Sequence, residues 1–205
     1  MFRITGRNMK IKIASQIKAI AFNIWLESVR DRLLIILTAS GLLLLVFSMV
    51  LGRMAVGGEQ RIIQDMGFWV LGIWGILAIM YLGSNIVRRE FKRQTVYLVL
   101  SRPVSRPVFL CGKFFGMIIV LFSIFVILAA FWIGLLYVKS ILLTDRHLWA
   151  LLFIFGEWVL LASVSLFFAT FTSPILHNFF IVGIAFLGHW SNDLKLFAEN
   201  SKELW

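Results

Sequence analysis

The chain has 205 residues, of which 60% are hydrophobic and 15% charged, with only 3 prolines and a mean hydropathy of +0.93. Soluble domains give about a quarter of their residues to charge, so this composition excludes a soluble globular protein and indicates an integral membrane one. The net charge of +10 suits anionic lipid headgroups and calls for no nucleic-acid partner.

Ile13, Ile17, Ile20 and Ile24 recur at helical spacing ahead of the first apolar block, with Lys12, Ser15, Gln16, Lys18 and Asn23 largely on other faces and Phe22 off the stripe. The pattern predicts an amphipathic helix over 10–30 lying in the membrane interface, either a plain anchor or a lever that moves with the bundle. Five continuously apolar blocks follow, at 33–51, 68–87, 114–138, 148–171 and 175–190. A helix needs about 20 such residues to cross the hydrocarbon core. Barrel strands would alternate polarity over about 10 residues, so the predicted class is all-α, a polytopic helix bundle in a single domain over 1–205. The first block is long enough to span and has no small-residue cleavage site, so it reads as a retained helix.

Lysine and arginine orient these spans. Arg3, Arg7, Lys10, Lys12, Lys18, Arg30 and Arg32 precede the first, and Arg88, Arg89, Lys92, Arg93, Arg102, Arg106 and Lys113 lie between the second and third, opposed only by Glu27, Asp31 and Glu90. The basic residues of the alternate connections are matched by acids. The positive-inside rule therefore places the N-terminus and the second connection in the cytoplasm. The single cysteine, Cys111, allows no intrachain disulfide and no cysteine cluster.

Motifs for chemistry are sparse. Gly112-Lys113 lacks the upstream glycine and following Ser or Thr of a phosphate-binding loop, and there is no glycine-flanked serine elbow, no HExxH and no metal-spaced cysteine set. His177 and His189 fall near opposite ends of one short helix, roughly 18 Å apart along its axis, so they do not share a metal or haem. Nothing thus points to a cofactor or metal in this chain. Glu157 lies well inside the fourth block, where a carboxylate costs about 2.5–3.5 kcal/mol on insertion scales. It is expected to face the bundle or a wet cavity, either on a substrate path or as a protonated or hydrogen-bonded packing group beside Ser163 and Ser165 or another helix. Trp69, Trp149 and Trp190 fall at predicted helix ends as interfacial anchors, whereas Trp74, Trp132 and Trp158 lie deeper as packing residues.

Between the second and third spans, 88–100 has few turn formers and predicts a short helix, ended by Ser101-Arg102-Pro103 because the residue before proline avoids helical angles. The chain turns again at Ser105-Arg106-Pro107 and re-enters the bilayer. The segment presents Val96, Leu98, Val99 and Leu100 beside cations, as a connector on headgroups or as a surface for a partner protein.

The run Glu90, Thr95, Leu98, Leu100, Ser101-Arg102-Pro103-Val104-Ser105-Arg106, then Gly112-Lys113 and Gly116, resembles the cytoplasmic connection of permeases of type-2 ABC exporters. That family commonly shows an acidic residue, a Gly-Thr pair, a leucine-rich turn, Ser-x-Pro-x-Ser-Arg and Gly-Lys; Gln94 stands here where glycine usually precedes the threonine. The N-terminal helix is similar to the family's elbow helix. Thr172-Ser173-Pro174 through Gly188-His189 is similar to the same region of small permeases linked to multicopper-enzyme maturation. The resemblance implies a transmembrane subunit of an exporter in a prokaryotic inner membrane, not itself an enzyme. It implies two partners, a separate ATP-binding subunit that holds ATP and Mg and a second permease subunit. Residues 88–107 would form the coupling region, with Glu90, Thr95, Leu98, Leu100, Ser101, Arg102 and Pro103 at the contact and Pro107 helping to set the exit angle. Five crossings leave 191–205 outside, against six in the family. Either the chain is shortened before a sixth helix, which the amphipathic 192–197 would precede, or the sixth helix comes from elsewhere; the expectation is shortening, because a bundle lacking one helix would expose polar packing faces to lipid. The alternative is a non-transporting anchor or assembly subunit; an intramembrane lipid enzyme is disfavoured by the scarcity of acidic and paired histidine residues in the spans.

Overall fold

The computed structural model describes residues 6–54, 58–93 and 106–202, with side chains over 13–54, 58–85 and 107–189. Over these residues every regular element is an α-helix: α1 (Gly6–Val29), α2 (Arg32–Met54), α3 (Glu59–Arg93), α4 (Arg106–Val138), α5 (Asp145–Ala169) and α6 (Pro174–Lys202). The α2, α3, α4 and α5 helices each contain a stretch long and apolar enough to cross a membrane, and the apolar part of α6, Pro174–His189, is shorter. An all-α integral membrane bundle is the result, with α3 at its centre, packed against α2, α4, α5 and α6.

Several helices outrun the apolar blocks that announced them. The α3 helix begins at Glu59 and continues without a break to Arg93, so residues 88–93 extend the span and do not start the separate short helix expected there. Nothing in that stretch stops a helix, since the first proline after it is Pro103. Likewise α6 runs through 192–197 to Lys202, making the expected amphipathic piece a continuation of the fifth span. Prolines mark starts: Pro107 is the second residue of α4 and Pro174 the first of α6, positions where a missing N–H costs nothing. The α4 helix stops in a Schellman turn. Ser140 takes φ 53°, Ser140 N–H donates to Tyr137 O and Ile141 N–H to Leu136 O, and Ile141 and Leu136 are both buried.

Glycine sets the close approaches. On α3, a Cβ at Gly67 would lie 1.8 Å from Trp132 Nε1 of α4, one at Gly75 would lie 2.0 Å from the Trp158 indole of α5, and one at Gly83 would lie 2.3 Å from Ser165 Oγ and 2.6 Å from the His177 ring. The deep tryptophans are thus knobs seated on missing side chains. Trp74 meets Gly41 of α2 in the same way and donates to Leu37 O at 2.7 Å. Trp132 donates to Ile63 O at 3.3 Å. Trp158 Nε1 is buried with no hydrogen-bond partner among the described residues. Trp69 and Trp149 are exposed, as interfacial anchors should be, while the Trp190 side chain lies outside the described set.

The amphipathic α1 finds its partner in the bundle. Ile20 sits against Gly112, and Ile24 and Ala21 against Gly116, so a Gly-x-x-x-Gly step on α4 seats the isoleucine stripe. Trp25 Nε1 then donates to Ser123 Oγ at 3.1 Å. Numbers rise together along both helices, so α1 runs parallel to the first half of α4, while Phe22, off the stripe, is exposed.

Candidate functional site

The expected coupling surface straddles the end of α3. Glu90 belongs to its last turns, with the side chain outside the described set, and Thr95, Leu98, Leu100, Ser101, Arg102 and Pro103 lie outside the described residues altogether. The two flanking helices, α3 and α4, are the longest among the described residues, at 35 and 33 residues.

Just inside that end of the bundle lies a buried polar joint that the sequence did not reveal. Ser84 of α3 donates to Asn178 Oδ1 at 2.6 Å, His177 Nδ1 lies 3.0 Å from the same oxygen, and His177 Nε2 lies 2.9 Å from Ser165 Oγ of α5. Asn178 Oδ1 can only accept, which assigns the ring proton to Nδ1 and leaves Nε2 to accept from Ser165. Every member then has a partner, as burial demands. His177 and Ser165 are both 0% exposed. The bonding order, hydroxyl to imidazole to amide, is that of a nucleophile, a base and an orienting group. Gly83 packs directly on the hydroxyl and ring, however, so no substrate atom can reach Ser165 while α3, α5 and α6 stay together. In this state the joint clamps three helices at the end where α3 enters the basic connection.

Of the neighbours expected for Glu157, the structure supplies another helix and not the serines, and it sets the carboxylate on the outer face and not turned into the bundle. Its Oε1 lies 3.6 Å from His189 Nδ1 of α6, with the two side chains 36% and 61% exposed. Ser163 instead donates to the Leu160 carbonyl at 2.6 Å, and Ser165 is committed to His177. Glu157 and His189 therefore present an ionisable pair on the outer face of α5 and α6. His147, the third histidine, caps α5, its Nδ1 accepting from Thr144 N–H at 3.1 Å, and its ring lies near Phe68 and Trp132.

Asp31 carries more than its place in the charge count suggested. At the joint between α1 and α2 it accepts from Leu33 N–H at 3.0 Å, capping α2, and from Tyr81 Oη of α3, 2.9 and 2.8 Å from its two oxygens. At the opposite end of the bundle Lys139 pairs with Glu59, tying the end of α4 to the start of α3. Among the described residues no three His, Cys, Asp or Glu side chains are grouped to hold a metal ion. The chain matches no protein-family model, and no curated protein is significantly similar to it.

Proposed function

We propose that the chain is the transmembrane permease subunit of an ABC exporter in a prokaryotic inner membrane, with its N-terminus in the cytoplasm. Two such subunits enclose a path across the bilayer, and separate ATP-binding subunits hold ATP and Mg. The observation that carries this reading is the run from Glu90 to Gly116, set between the two longest described helices of an all-helical bundle. Continuity of α3 through Arg93 supports it, because a contact made at Glu90 and beyond acts on a rigid helix that reaches across the whole bundle. Glu157 and His189, half exposed along the apolar length of α5 and α6, supply a polar feature for the path.

Leu98→Asp and Leu100→Asp place a charge on the coupling surface without altering any span. Each is expected to abolish co-purification of the ATP-binding subunit from native membranes while the chain still inserts. Full retention of the ATPase by both variants, or isolation of the wild-type chain in a native complex with no ATPase, would defeat the proposal in favour of an anchoring role.

A further inference from the structure

A cavity of about 370 Å³ opens between the end of α1, the start of α2 and the middle of α4, lined by Trp25, Val29, Leu34, Thr38, Ala39 and Ile124 among others. Its lining is apolar apart from scattered hydroxyls, and Ile35 and Ile127 of that lining are exposed, as is Leu33 next to it in sequence, so the groove faces the surroundings of the bundle. Arg30 and Arg32 flank its mouth in sequence, both exposed, and neither has an ion-pair partner among the described residues. Asp31 between them is engaged by Tyr81 and Leu33, and Glu27, a turn earlier, has a contact of its own.

Depth decides what the groove can hold. The Asp31–Tyr81 bond sets the α1–α2 joint level with Tyr81, seven residues before Arg88 on α3, or about 10 Å along its axis. Two guanidinium groups are thereby rooted beneath the level at which α3 turns basic. Cations so placed need an anion that reaches into the membrane edge, and an apolar slot beside them needs a hydrocarbon chain. One molecule offers both. We infer that this groove binds a single anionic phospholipid of the adjoining leaflet, one acyl chain lying in the slot along α2 and α4 and the phosphate pairing with Arg30 and Arg32. A second copy of the chain is a poorer occupant, since it brings a net charge of +10 to the same two arginines. The inference is independent of any transport role.

Trp25 lines the slot and reports on it. In proteoliposomes, tryptophan quenching by phosphatidylglycerol with brominated acyl chains is compared with quenching by brominated phosphatidylcholine, and the part lost in Trp25→Phe is taken as the groove's signal. Half-quenching by the anionic lipid is expected at a mole fraction on the order of tenfold lower than by the zwitterionic one, because two arginines near the surface attract an anionic headgroup and screening reduces that attraction. Arg30→Gln with Arg32→Gln is expected to erase that preference, and Ala39→Phe, which fills the slot, to erase the Trp25 signal for both lipids. An excess of inorganic phosphate is expected to leave the quenching unchanged. Equal quenching by the two lipids in the wild type, an unchanged signal in Ala39→Phe, displacement by phosphate alone, or a Trp25 shielded from both lipids by another chain each overturns the inference.

Discussion

Replacing Gly83 by alanine inserts one methyl group into the buried joint, and its cost can be worked out from the geometry. The new Cβ would sit 2.3 Å from Ser165 Oγ and 2.6 Å from two atoms of the His177 ring, whereas ordinary contact begins at 3.4 Å. Hydroxyl and ring must therefore each retreat by about 1 Å, in directions fixed by α5 and α6 and not by free rotation. Overpacking of this kind costs about 1–3 kcal/mol, and weakening the interhelical bond from Ser165 to His177 adds about 0.6 kcal/mol, the average for such bonds in membranes. The expected loss is about 2–4 kcal/mol. Gly72, eleven residues earlier on the same helix, has nothing within 4 Å of its added Cβ. There the same substitution gains the difference in helix propensity, up to about 1 kcal/mol. Equilibrium unfolding in mixed micelles against the mole fraction of dodecyl sulfate, followed by helical circular dichroism, measures both. If Gly83→Ala proves no more destabilising than Gly72→Ala, the packing of α3 on His177 and Ser165 is wrong.

The same unfolding assay checks two further changes. Tyr81→Phe removes a hydroxyl bonded to both oxygens of Asp31 and is expected to cost about 1.5 kcal/mol, the low end for bonds to a charged group because both side chains are only partly buried. An unchanged midpoint would disconnect the α1–α2 joint from α3. Ser140→Gly relieves a left-handed residue at φ 53° and is expected to stabilise by about 1 kcal/mol; destabilisation would contradict the Schellman turn. Cys111 is the only cysteine in the chain and is exposed. A membrane-impermeant maleimide is expected to label it in inside-out vesicles and not in right-side-out ones, and the reverse would invert the proposed orientation.

The spans were legible because a bilayer demands about 20 apolar residues in a row, a one-dimensional signal. Their ends were less so. Hydropathy reports where lipid stops, whereas a helix stops only at a breaker, which is why α3 and α6 continue into polar sequence. The isoleucine stripe of α1 was readable as a face, but its partner was not. Gly112 and Gly116 stood out as motif residues, and only the fold shows that their bare backbone receives Ile20 and Ile24. The polar joint was hidden for a related reason: Ser84, Ser165 and His177 lie on three helices, and no spacing within one helix announces a meeting between several. An adjacent His-Asn pair near a proline-started helix was the one local hint. Glu157 was expected to face the bundle or a wet cavity, with the same-helix serines or another helix as its neighbours; the antiparallel return of α6 brings His189 near it on the outer face, a meeting that no spacing within α5 announces.

Gly67, Gly75 and Gly83 are spaced eight residues apart, and eight residues advance a helix by about 12 Å while rotating it two turns and about 80° further. The three notches therefore spiral around α3 like the thread of a screw, and each holds a tooth from a different direction: Trp132, then Trp158, then the Ser165–His177 joint. A rod keyed in this way cannot piston along its own axis without expelling all three teeth, and it cannot spin in place. Under the proposed coupling, thrust on the C-terminal end of α3 would therefore tilt the helices that grip it as one body.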